Sequence, residues 1–118
     1  MGYYSEIEFQ TRIKLDKITE CCKFIERRIC ELSKGYVNWH LRNITEISRD
    51  GYVKFNETYC KWYHEAEFIM ELLPFLEDGI ITFKGEDGEF WGYQVSGGRL
   101  FMLGIKYERM NEIPTVTA

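Results

Sequence analysis

Leu15, Ile18, Cys22, Ile25, Ile29 and Leu32 recur at alternating steps of three and four residues. That spacing lays apolar side chains in one stripe along a helix and does not fit a strand, whose faces alternate every second residue. Asp16 stands where an N-cap side chain is wanted, and Lys34-Gly35 offers a basic last turn followed by a left-handed stop. The spacing predicts a helix over 16–34. It is too short for a coiled coil, so its stripe calls for a sheet to pack on.

Strands are readable on both sides of it. Ile7 and Phe9 alternate with Glu6, Glu8 and Gln10, so 3–13 reads as a strand. Beyond the helix, 36–48 and 52–63 flank Arg49-Asp50-Gly51 and read as one long hairpin. A two-residue Asp-Gly turn would set Ile47 opposite Lys54. A three-residue loop with Gly51 left-handed instead sets Ile47 opposite Val53, Glu46 opposite Lys54, Leu41 opposite Tyr59 and Val37 opposite Tyr63. The second register gathers Val37, Trp39, Leu41, Ile47, Val53, Phe55, Tyr59 and Tyr63 on one face and is the one expected. Asn38, His40, Arg42, Cys60, Trp62 and His64 then share a mostly wet face, with Trp62 as its exposed aromatic.

Residues 65–78 read as a second helix with Phe68, Ile69, Leu72, Leu73 and Leu76 on its apolar face. Pro74 should kink or end it near Leu73, and Gly79 closes the segment. A meander follows over 80–84, 90–95 and 100–108, turning at Glu86-Asp87-Gly88 and at Gly97-Gly98. Ile81, Phe83, Trp91, Tyr93 and Val95 share one of its faces, and Ile80, Phe90, Leu100 and Met102 are expected on the other. Residues 111–118 carry no pattern and read as a flexible tail after a single domain, 1–110. The order β-α-β-β-α-β-β-β implies an α+β fold: a single antiparallel or mixed sheet with two helices packed on one face.

Composition bears on function by exclusion. The chain of 118 residues has a net charge of −4 and no basic block, so no direct nucleic-acid binding is expected. Cys21, Cys22, Cys30 and Cys60 follow neither zinc-ribbon nor CxxC spacing. With no leader or membrane-length apolar run in sight, no membrane association is expected, and the thiols are expected reduced in a cytoplasm. The sequons at Asn43 and Asn56 are then expected to stay bare.

Three constellations could carry chemistry, and each has a simpler reading. His40 lies across from Cys60 in the expected hairpin with His64 further along, but a fourth zinc ligand is missing. No glycine-rich oxyanion loop follows Cys60, which argues against a thiol nucleophile. GEDGE lacks the calcium-loop pattern, and its acids would repel a phosphate, so it reads as a hairpin turn. No catalytic residue, metal or cofactor is therefore expected, and the chain reads as a non-enzyme. Its surplus aromatics point to protein binding: Tyr52, Trp62, Phe90, Trp91 and Tyr93 as anchors, with Glu86, Asp87 and Glu89 steering a basic partner.

MGYYSEI at the start, CKWY in the middle and FKGED in the meander resemble a group of small bacteriophage and prophage proteins that begin MGYxS and carry KWY and GED motifs. The resemblance runs from Met1 to about Tyr93. It implies a small phage-type α/β protein with no enzyme activity attached, and hence the host cytoplasm as its setting. The partner it favours is a host protein, such as a nucleic-acid-handling defence effector inhibited in the anti-CRISPR manner. Two other readings stay open: a small-ligand or nucleotide-binding module, and a homo-oligomeric structural phage protein whose meander face pairs in a homodimer.

Overall fold

The computed structural model describes residues 3–31, 35–104 and 109–114, with the backbone alone described at 109–112. β1 (Ser5–Gln10) leads through a 3-10 turn, Leu15–Lys17, into α1 (Ile18–Glu31). α2 (Tyr36–Arg42) follows, then β2 (Ile44–Ile47), β3 (Val53–Phe55), β4 (Tyr59–Cys60) and α3 (Glu65–Leu72). β5 (Gly79–Gly85), β6 (Phe90–Ser96), β7 (Arg99–Leu103) and β8 (Arg109–Ile113) form the rest. Six strands make one sheet in the order β4-β1-β5-β6-β7-β8, and β2-β3 stand apart as a hairpin. Each pairing is antiparallel. The α+β class follows from the sequence pattern, but among the described residues three α-helices and two sheets replace the expected two and one.

The core lies between the large sheet and the helices. Ile7, Ile81, Phe83, Tyr93, Val95 and Leu100 meet Cys21 and Ile25 of α1, Leu41 of α2, and Phe68, Ile69 and Leu72 of α3 in one cluster. Burying each large side chain there stabilises the fold by about 1.5–3 kcal/mol. α1 is rolled from its expected orientation: Cys21 is sealed, Cys22 only half-buried, and Leu15 55% exposed on the preceding 3-10 turn. The roll seats Phe24 on Phe75, ring centroids 5.2 Å apart, and lets Arg28 reach Glu71 of α3 at 2.6 Å. Asp16 falls inside the 3-10 turn and caps nothing, and Gly35 is extended (φ 166°) at the start of α2. Leu32 and Lys34 lie outside the described residues.

The largest correction concerns 36–63. Its centre matches the expected register, with Ile47 opposite Val53 and Glu46 opposite Lys54. Gly51 closes the loop at φ 85°. The arms do not continue. Val37 and Leu41 are four apart, a spacing that suits a helix as well as alternation suits a strand. Buried polar groups break the tie: Asn38 Nδ2 donates to Ile29 O at 2.9 Å, and His40 Nε2 lies 2.8 Å from Tyr63 O. A strand would turn Asn38 and His40 away from Leu41, whereas the helix buries all three. The pairings of Leu41 with Tyr59, Val37 with Tyr63 and His40 with Cys60 therefore do not form.

The later segments need smaller adjustments. α3 ends at Leu72, and Pro74 sits in the 3-10 turn Leu73–Phe75, as a missing N–H requires. Gly79 begins a strand rather than closing a helix. Ile81, Phe83, Trp91, Tyr93 and Val95 share the helix-covered face as expected. A two-residue turn at Gly97-Gly98 sets Leu100 opposite Val95 and Met102 opposite Tyr93, so Leu100 joins the core while Met102, on the same side of the sheet, stays exposed. Residues 111–113, expected to belong to a flexible tail, instead lie in β8 and pair with β7, while 115–118 lie outside the described residues.

Candidate protein-binding surface

Among the described residues no helix packs on the sheet's other face, and one row across it is aromatic at both ends. Register places Tyr59 of β4 opposite Glu6 of β1, Glu6 opposite Lys84 of β5, and Lys84 opposite Phe90 of β6. Directly opposed residues of antiparallel strands project from the same face, so these four side chains form a continuous row. Tyr59 and Phe90 are 46% and 47% exposed. Tyr4 extends the row, its ring centroid 5.5 Å from that of Tyr59. Lys61 lies over Tyr4 at 5.8 Å and Lys84 over Phe90 at 5.5 Å, so cations cover part of each aromatic surface.

The acidic turn stands beside this row and is held firmly. Gly88 N–H donates to Gly85 O at 2.9 Å and Gly85 N–H to Glu89 O at 2.7 Å, closing a loop over Glu86, Asp87 and Gly88. Gly88 adopts φ 86°, the left-handed conformation such a loop needs. The Asp87 carboxylate accepts the Glu89 N–H at 3.0 Å and the Tyr3 hydroxyl, while Glu86 N–H donates to Tyr4 O at 2.9 Å. The hydrogen bond from Tyr3 holds the Asp87 carboxyl below its usual range, and the same bond pushes the Tyr3 phenol up to about 12. Asp87 thus stays ionised while it organises the turn, leaving Glu86 and Glu89 exposed.

The structure divides the sequence-predicted binding residues. Glu86, Asp87, Glu89 and Phe90 cluster at this tip, and half-buried Trp91 supports it, stacked on Phe83 at 5.5 Å and 6.2 Å from Tyr3. Trp62 does not belong to any surface: it is 2% exposed and donates Nε1–H to Thr58 O at 2.9 Å. Tyr93 is core as well, its hydroxyl donating to Glu65 Oε1 at 2.8 Å. Tyr52 is exposed but lies by the loop of the small hairpin, at the other end of β1, where Gly51 O accepts the Ile13 N–H. Tyr3, Tyr4 and Tyr59 escaped the sequence reading. The aromatic pair Tyr3-Tyr4 ahead of an alternating strand was the signal available for two of them.

The expected pairing of His40 with Cys60 is not assembled. His40 is buried beneath Trp62, ring centroids 4.6 Å apart, and no longer faces Cys60. Burial pushes the Cys60 thiol up to about 11 and the Cys21 thiol up to about 12, the opposite of what a nucleophile requires. Among the described residues, no three His, Cys, Asp or Glu side chains stand close enough to hold a metal ion, and no helix is long and apolar enough to cross a membrane. A groove of about 700 Å³ runs along Arg12, Lys14, Asp16, Glu77 and Asp78, and its Arg12 and Glu77 pair with each other at 2.5 Å. Comparison with protein families, curated proteins and solved structures finds no match to this chain.

Proposed function

We propose that the protein acts without catalysis, by binding another protein through the helix-free face at the Tyr4–Tyr59–Phe90 row and the adjoining acidic turn. The observation that carries this reading is the row itself: three partly exposed aromatics on one side of an antiparallel sheet, beside a turn tied by the Tyr3–Asp87 hydrogen bond. Exposed aromatics of low conformational entropy are the side chains that dominate interface energies. Glu86 and Glu89 give the rim a negative potential that favours a basic partner and accelerates its approach. With the resemblance to phage proteins, the partner is a host protein, and a basic, nucleic-acid-handling defence effector fits both the charge and the setting.

The test is affinity capture from host lysate with the parent chain and with the double variant Tyr59→Ala/Phe90→Ala. The reading expects one protein retained by the parent, lost by the variant at unchanged melting temperature, and released more readily at high salt. Retention of nothing by the parent, or equal retention by both, removes it. Sedimentation equilibrium separates the homodimer alternative: a concentration-dependent dimer abolished by the same double variant would assign this face to a second copy.

A further inference from the structure

A second site lies away from that face, where α2 meets the loop before β4. A pocket of about 280 Å³ opens between Trp39, Arg42, Asn43, Thr45, Asn56 and Glu57. Its volume equals that of roughly nine waters at ~30 Å³ each, enough for one six-membered ring with its substituents. Trp39 forms one wall with 47% of its surface exposed, which is rare for an indole on a helix whose neighbours at 38, 40 and 41 are buried.

Arg42, Asn43 and the facing backbone are fixed from behind. Asn38, itself buried, donates Nδ2–H to Ile29 O at 2.9 Å and accepts Arg42 Nε–H at 2.8 Å, so the guanidinium is held through that nitrogen. Asn43 grips the facing loop twice: its Nδ2–H donates to Glu57 O at 2.8 Å and its Oδ1 accepts Glu57 N–H at 2.9 Å. Asn56 N–H donates to Asn43 O at 2.8 Å, and Thr45 Oγ1 donates to Lys54 O at 3.3 Å. The side chains of Asn56 and Glu57 therefore stand exposed at the rim on a backbone that cannot easily move. Pre-set walls of this kind lower the ordering cost of binding.

The chemistry of the walls selects a ligand class. A flat apolar guest would cover Trp39 but leave Arg42, Asn56 and Glu57 desolvated and unpaired. A phosphate-bearing guest would meet the Glu57 carboxylate, in a chain whose net charge is −4, with one guanidinium to offset it. A neutral polyhydroxylated ring satisfies both halves: its C–H face lies on the indole, and its hydroxyls donate to Glu57 and accept from Arg42 and Asn56. We infer that this pocket is a binding site for a single pyranose unit, with Trp39 as the stacking platform and Arg42, Asn56 and Glu57 as the hydroxyl-reading groups.

The test is an amide-resolved NMR titration of the full chain with methyl glucopyranosides, methyl galactopyranosides and N-acetylglucosamine. Because a single sugar unit in a shallow site binds in the millimolar range, each is taken from about 0.1 to about 50 mM. The inference expects saturable shifts confined to 39–45 and 54–58 with at least one sugar. It expects Trp39→Ala to weaken that binding at least tenfold at an unchanged spectrum elsewhere, and Asn56→Ala, which removes no backbone contact, to weaken it several-fold. Absence of saturable shifts with every sugar overturns it, as do shifts mapping elsewhere or equal binding by both variants. Adenosine or uridine occupying the pocket where the sugars do not would assign it to a different ligand class and also overturn it.

Discussion

Two aromatic assemblies of this molecule use the same residue types to opposite ends. Inside, Trp62 touches His40, Phe55, Phe68 and Phe83 with centroids 4.6–6.0 Å apart, and the indole finds a carbonyl for its N–H. Outside, Tyr4 and Tyr59 sit 5.5 Å apart, lysines lie over the rings of Tyr4 and Phe90, and all three aromatics are partly exposed. What separates the two is not apolarity. Each inner aromatic lies on the face that three helices cover, whereas nothing described covers the outer row. Inner rings therefore hold the fold, and outer rings stand exposed.

The sharpest way to break this contrast is to truncate one ring from each set. Trp62→Ala removes a sealed indole, while the Thr58 carbonyl keeps its second donor, the Ile7 N–H, so the lost packing alone is expected to cost about 3–5 kcal/mol in urea unfolding. Phe90→Ala removes a half-exposed ring and should change stability by no more than about 0.5 kcal/mol. Equal losses would show that the outer row is packed as firmly as the core and would withdraw it from the binding role.

Two glycines repeat the contrast in the backbone. Gly51 and Gly88 both close three-residue hairpin loops, at φ 85° and 86°. A Cβ on Gly88 meets nothing within 4 Å, whereas one on Gly51 would come 2.2 Å from Ile13 O. Gly88→Ala should cost only the left-handed strain, about 1–2 kcal/mol. Gly51→Ala adds a backbone clash of about 1–3 kcal/mol and must open the Ile13–Gly51 hydrogen bond. Urea midpoints of the two variants at equal m-value read the difference.

These elements also mark how far the sequence was legible. The β2–β3 loop, the Pro74 stop and the burial of Ile81, Phe83, Tyr93 and Val95 follow from local rules of turn chemistry and period. Segment 36–42 did not, because Val37, Trp39 and Leu41 alternate while Val37 and Leu41 also keep helical spacing. Contacts remote in sequence, Asn38 to Ile29 and His40 to Tyr63, decide between the two. That single error moved Trp62 from surface to core and dissolved the His40–Cys60 pair. It also hid the exposed Trp39. The outer row was invisible for a related reason: Tyr59, Glu6, Lys84 and Phe90 come from four strands, and only register brings them together.

His40 gives a smaller, graded probe of the inner cluster. Burial lowers its pKa, the Tyr63 carbonyl opposes that shift, and His64 adds to it. Its Nδ1 is buried without a partner, so a second ring proton would have nowhere to donate. With the folded value below the unfolded value of about 6.5, the unfolded chain binds more protons between the two. Stability is then fully present above about pH 6.5 and falls as pH drops toward the folded value, with a slope of at most about 1.4 kcal/mol per pH unit from this group. His40→Gln, whose amide can still donate to Tyr63 O, should flatten that part of the profile. An unchanged slope in the variant would place the acid sensitivity elsewhere.

The least change in stability is expected where the outer region is organised rather than packed. Tyr3→Phe deletes the hydroxyl that Asp87 accepts but keeps the ring near Trp91, so the melting temperature should not move. The turn should nevertheless loosen. Glu86 N–H keeps Tyr4 O and Glu89 N–H keeps Asp87 Oδ1, yet the carboxylate that anchors the second bond is no longer held from the N-terminal side. Hydrogen exchange at Glu89 should quicken while exchange in β5 and β6 stays constant, and the Asp87 carboxyl should titrate higher once the bond that lowers it is gone. Faster exchange together with weaker partner capture would mean that the turn must be pre-set to bind. Faster exchange with undiminished capture would confine recognition to the aromatic row and leave the acids a steering role alone.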